Sequence, residues 1–122
     1  MPGGSKYEGP SEALEAYGSV VEASRSGAEV KGAKNPYTSR NGHMFSFLDA
    51  GGTMALRLSD ELTEQFRSSY ESGDVIQYGA TMRGYSSVPA ALLADVDTLA
   101  VWFDRSWEWI GTLPAKPTKK KK

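Results

Sequence analysis

The clearest alternation of apolar and polar positions lies in the middle of the chain. Met54, Leu56 and Leu58 alternate with Thr53, Ala55 and Arg57, which predicts a strand with one apolar face. Residues 44–48 predict a partner strand, with Phe45 and Phe47 pointing one way and Met44 and Leu48 the other. A strand apolar on both faces reads as central, covered on its second side by a helix or another subunit. Asp49-Ala50-Gly51-Gly52 between the two supplies the positive-φ positions of a short turn, making the pair a hairpin. Weaker alternation predicts strands at 28–33, 75–78 and 83–88, the last two joined by residues 79–82.

Helical spacing occurs on either side. Ser11 reads as an N-cap with Glu12 and Glu15 in the first turn, and Leu14, Tyr17, Val20 and Val21 form an apolar stripe to about Ser24. Ser59-Asp60-Glu61 opens a second helix with Leu62, Phe66 and Tyr70 as its stripe and Gly73 as its C′ residue. Pro89 opens a short turn through Leu92 and Leu93, and Asp97 is expected to cap a last helix. Along that helix Leu99, Phe103, Trp107 and Ile110 share a face, with Trp102 and Trp109 on an adjoining one. So wide an apolar surface predicts deep burial or contact with a partner.

The order is α-β-β-β-α-β-β-α, an α+β domain in which an antiparallel five-stranded sheet carries packed helices in two layers. Residues 11–115 are expected to form one domain, 1–10 a flexible arm and 116–122 a basic disordered tail. A chain of 122 residues suffices for one core without staples. The absence of cysteine excludes disulfides and thiolate chemistry, and no apolar run approaches membrane-spanning length, so a cytoplasmic protein is expected. The net charge of −1 hides an asymmetry: Lys116, Lys119, Lys120, Lys121 and Lys122 end the chain, and the body before them has nine basic against fifteen acidic residues. That acidic body repels phosphate backbones, leaving the tail as the candidate nucleic-acid contact.

The polar stretch 34–42 gathers Tyr37, Thr38, Ser39, Arg40 and Asn41, with His43 just beyond. Such a cluster of donors can bind an anion or satisfy the backbone of an irregular turn. The single histidine has no ligand-spaced companions, and neither phosphate-loop nor dinucleotide glycine patterns occur, so no metal or cofactor is expected. Ser39 or Ser46, His43 and Asp49 do not form a nucleophile motif, and Asp60, Glu61 and Glu64 have a helix-dipole explanation.

Glu29-Val30-Lys31-Gly32-Ala33, Pro36-Tyr37-Thr38-Ser39-x-Asn41-Gly42-His43-Met44-Phe45-Ser46 and Ala55-Leu56-Arg57-Leu58 resemble the N-terminal domain of the TfoX/Sxy family. Gln77-Tyr78-Gly79, Tyr85-x-x-Val88-Pro89 and Lys116-Pro117-Thr118-Lys119 extend the likeness over roughly 11–119. It implies a two-layer α+β domain of the secretion-chaperone-like kind, found in regulators of competence genes, with no catalytic residues to carry over. Three functions are therefore expectations. The first is a non-enzymatic adaptor meeting a protein partner or a second copy through an exposed sheet face or the helix that bears Trp102 and Trp109. The second is a nucleic-acid-associated regulator. The third is a small-ligand domain with a pocket between sheet and last helix, lined by Tyr37, Tyr78, Tyr85 and Trp102.

Overall fold

The computed structural model describes residues 7–32, 34–77 and 79–114. Helix α1 (Ser11–Ala23) is followed by strands β1 (Tyr37–Arg40), β2 (His43–Leu48) and β3 (Met54–Arg57), then helix α2 (Asp60–Ser69). Strands β4 (Asp74–Gln77) and β5 (Ala80–Val88) precede the short helix α3 (Ala90–Leu93) and α4 (Val96–Ile110). The fold is α+β, and the strands form one antiparallel sheet in the order β1-β2-β3-β5-β4.

Several boundaries move from their expected places. Helix α1 is capped by Pro10, whose carbonyl accepts from the amides of Ala13 and Leu14, and Ser11 sits inside the first turn. Ser59 does cap α2, its hydroxyl accepting from the Leu62 amide, but that helix ends at an extended Tyr70 and not before Gly73. Gly73 is taken up by the sheet: its amide donates to the Ser87 hydroxyl and its carbonyl accepts from the Ser87 amide. Pro89 and Asp95 are the N-caps of α3 and α4, leaving Asp97 within the first turn of α4. The expected connection 79–82 is mostly strand, since Ala80, Thr81 and Met82 pair with Gln77, Ile76 and Val75.

The first strand is the largest displacement. Of residues 28–32 only Lys31 joins the sheet, through one bridge to Tyr37 with bonds of 2.8 and 2.9 Å; Ala33 lies outside the described residues. Gly32 then turns the chain with a φ of 81°, where a Cβ would meet the Asn35 carbonyl oxygen at 2.5 Å. The first strand is formed by Tyr37–Arg40, inside the stretch the sequence assigns to a loop. Asn41 and Gly42, with φ of 56° and 82°, provide the tight hairpin turn that pairs it with β2. Its polarity is tolerated because Thr38, fully buried, shares hydrogen bonds with buried partners: Thr38 Oγ1 lies 2.5 Å from Ser46 Oγ, which lies 2.7 Å from the Tyr17 hydroxyl on α1.

Strand β2 does not alternate as expected. Thr38 pairs with Ser46 and Ser39 with Met44, so Phe45 is an extra residue without a partner on β1. This bulge reverses the alternation along β2. Phe45 and Leu48 enter the helix-side core together with Met54, Leu56, Leu58 and Val88, while Met44 and Phe47 join a separate cluster on the other face. Phe45 packs against Phe103 at 5.0 Å and Trp107 at 5.8 Å between ring centroids. Helices α1 to α4 all contribute buried residues to the helix-side core; the second cluster, Ala55, Val75 and Tyr85 with Met44, Phe47 and Met82, contains strand residues alone.

Candidate functional site

That second face is where the molecule leaves space. A second irregularity shapes it: Asp74 pairs with Ser86 but Val75 with Met82, so Arg83, Gly84 and Tyr85 have no partners on β4. Gly84 has a φ of 85°, and the loss of pairing lets the outer half of the β4–β5 hairpin bend. Arg67 of α2 fixes the bend from the helix side. Its guanidinium donates to the Ser86 hydroxyl, the Asp74 carboxylate and the carbonyls of Gly73 and Tyr85, all within 3.1–3.2 Å. From the same strand Tyr85 crosses the outer face, donating its hydroxyl to the Met44 carbonyl at 2.6 Å and packing on Phe47 at 5.5 Å. Burial pushes its phenol up to about 12, with the Arg57 guanidinium pulling the other way.

The result is a cleft of about 760 Å³. Met44, Phe47, Leu48, Pro36 and Met82 supply its apolar lining, and Lys34, Asn35, Tyr37, Asp49 and Gln77 its polar groups. Residues from β1 and from the β4–β5 hairpin, strands at opposite edges of the sheet, meet around one space, so the sheet is strongly curved. The Asp49 carboxylate is already committed, its Oδ1 accepting from the amides of Gly51 and Thr53 at 2.9 Å. Tyr7 donates its hydroxyl to the Asp49 carbonyl, and Glu8 lies 3.8 Å from the Lys34 ammonium, so residues 7 and 8 tie the chain start to the cleft rim. Burial, then the Asp49 charge, raises the Tyr7 phenol above its usual value.

The polar residues singled out in the sequence are dispersed. Tyr37 lines the cleft, whereas Thr38 faces the helices and Asn41 forms the turn. Ser39 is half-buried on β1. Arg40 and His43 both reach the end of α4: Arg40 Nη1 donates to the Trp107 carbonyl at 2.8 Å with its guanidinium 4.3 Å from the Trp107 ring, and His43 Nε2 lies 2.8 Å from the Pro114 carbonyl. Arg40 thus adds a charged donor to a carbonyl that also accepts from the Gly111 amide, at a helix C-terminus, where positive charge is favoured. A Cβ at Gly111 would lie 2.5 Å from the Arg40 guanidinium carbon. Gly111→Ala is therefore expected to displace Arg40 and cost about 1 kcal/mol. Denaturant titration should show that cost vanishing in an Arg40→Ala background.

The tryptophan pair does not form an exposed face. Trp102 is 7 % exposed, packs edge-on against Phe66 at 5.1 Å and donates its indole N–H to the Tyr70 hydroxyl at 3.3 Å. Trp109 is half-buried, with the Arg57 guanidinium 5.4 Å from its ring. The expected pocket between sheet and last helix is corrected in the same way. Trp102 lies on the helix side, Tyr85 and the cleft on the other, and Tyr78 falls outside the described residues. The tail lysines 116 and 119–122 also fall outside them. Among the described residues no group of His, Asp or Glu side chains is placed to hold a metal ion, and no helix is long and apolar enough to cross a membrane.

Sequence reasoning missed Met44, Met82, Lys34 and Gln77 as cleft residues. The signal was present in a strand apolar on both faces, whose second side was expected to be covered by a helix or another subunit; the reversed alternation of β2 hid which of its residues line that side. Comparison with protein-family models, with curated proteins and with solved structures finds no match.

Proposed function

We propose that this chain is a non-enzymatic binding domain that holds the apolar part of a ligand in the concave cleft of its sheet. The observation that carries this reading is the contrast between the two faces. Four helices contribute to the core on one face, while on the other the half-buried Met44, Phe47 and Met82 line an open space of about 760 Å³, in the range of small-molecule sites. Two unbranched thioether side chains on that lining favour an adaptable fit. Among the described residues the cleft brings together no nucleophile–base pair, which suits binding better than catalysis. The resemblance to TfoX/Sxy domains, which brings no catalytic residues with it, fits the same reading.

The test is titration with Nile red, an uncharged apolar dye, followed by fluorescence. Wild-type protein is expected to bind it, and Met82→Glu, which places a charge in the cleft, to weaken binding at least tenfold with the thermal midpoint little changed. Val101→Glu provides a control, since Val101 is 50 % exposed on α4 and does not line the cleft. Equal loss in both variants, or none in Met82→Glu, would overturn the assignment of the cleft.

A further inference from the structure

We propose that the cleft takes a straight-chain monocarboxylate, its alkyl chain along Met44, Phe47 and Met82 and its carboxylate on Lys34 in exchange for Glu8. The proposal rests on the reading of the cleft as a ligand site. Lys34 carries the one cationic side chain among the described residues lining it, and the one acidic side chain there, Asp49, is engaged with the backbone of its own turn. The Asp49 charge remains in place, so among the described residues the group at this end that can pair with an incoming carboxylate is Lys34 alone. Glu8 already places a carboxylate 3.8 Å from the Lys34 ammonium, with side chains 72 % and 52 % exposed. So exposed a pair contributes little stability, and exchanging one carboxylate for another costs correspondingly little.

The backbone around the cleft argues for a small amphiphile over a peptide. Both main-chain groups of Tyr37 that face outward from the sheet edge are bonded to Lys31, and the Pro36 carbonyl accepts from the Leu48 amide. An extended peptide laid there would find these edge groups occupied and would press its own amides onto thioether and phenyl surface, leaving them unsatisfied. An alkyl chain has no such groups. The flexible methionines can follow an unbranched chain, and its single charged end needs only one partner.

Calorimetric titration with dodecanoate, dodecanol and a short leucine-rich peptide with a free carboxyl end tests the idea. In the Glu8→Gln protein, where no resident carboxylate is given up, dodecanoate is expected to bind about fivefold more tightly than dodecanol, the most an exposed ion pair ordinarily contributes; in the wild type, where Glu8 must be displaced, the preference should be smaller. Adding Lys34→Gln should erase the difference, while Glu8→Gln by itself should leave dodecanol unchanged. Equal affinity for acid and alcohol in Glu8→Gln, a difference that survives the added Lys34→Gln, or tighter binding of the peptide would overturn the proposal. If acid and alcohol bind Glu8→Gln equally and Met82→Glu weakens both, the head-group assignment alone falls. If neither binds and Nile red also fails to distinguish Met82→Glu from wild type, the cleft reading falls with it.

Discussion

Replacing Arg67 by Met should lower the stability of the domain by about 2–3 kcal/mol, and it should also reduce binding in the cleft, although Arg67 lies on the opposite side of the sheet. One guanidinium serves four acceptors where β5 loses its pairing with β4, among them the Asp74 carboxylate and the carbonyls of Gly73 and Tyr85. Hydrogen bonds from a charged donor are each worth more than neutral ones; the Gly73 carbonyl keeps the Ser87 amide and the exposed Asp74 carboxylate has water, so the loss falls on the buried Ser86 hydroxyl and the Tyr85 carbonyl. An apolar side chain of similar length preserves packing and isolates the polar contribution. Arg67→Lys should recover only part of the loss, because an ammonium lacks the planar fork that reaches several acceptors at once. Urea titration reads the stability and dye titration the cleft. An unchanged midpoint in Arg67→Met would show that the bend is held by Gly84 and Tyr85 without help from α2.

The domain is also expected to unfold in alkali through two tyrosines. Burial pushes the phenol of Tyr17 up to about 12, against the opposing hydrogen bonds of Ser46 and Thr38, and burial likewise pushes Tyr85 up to about 12. In the unfolded chain both titrate near ~10. Their neutral forms are therefore fully compatible with the fold below pH ~10, and stability falls as pH rises from ~10 toward ~12, where the unfolded chain has lost protons that the folded chain retains. The loss amounts to roughly 3 kcal/mol for each phenol once the pH has passed through that window. The measurement is phenolate absorbance alongside circular dichroism on a pH titration. Ionisation of Tyr17 and Tyr85 should coincide with loss of ellipticity. In the Tyr17→Phe, Tyr85→Phe double variant the alkaline slope should flatten. A single absorbance rise near pH ~10 covering every tyrosine, with ellipticity intact, would contradict this account.

The helices and the central hairpin were legible because each rests on signals local in sequence. Ser59 before Asp60 and Glu61 marks a helix start by itself, and Gly51 and Gly52 announce a turn whatever surrounds them. Strand β1 was not legible, since Tyr-Thr-Ser-Arg has no apolar alternation and its pairing is secured by a hydroxyl from α1, twenty-one residues before Thr38. Nor could the bulge at Phe45 be read. Nothing in Met-Phe-Ser-Phe-Leu distinguishes a regular strand from one with an extra residue, and one residue decides which face each later side chain occupies. The cleft inherits this difficulty, because its floor and its curvature depend on two such irregularities. Among the candidate site residues, Tyr37 was expected in a polar loop and in a pocket beneath the last helix but lines the cleft on the other face from strand β1, while Arg40 went unrecognised as the partner of a helix end 67 residues further along the chain.

The pairing of α1 with α4 has a consequence for synthesis. These helices pack directly together, and the Asp104 carboxylate of α4 accepts from the Arg25 amide just beyond α1. A chain emerging from the ribosome would present Tyr17, Val20 and Val21 long before α4 is made, with their principal helical partner still missing. Completion of the core is thus a late event of high sequence separation, and the apolar face of the first helix stays uncovered until α4 through Ile110 has left the ribosome.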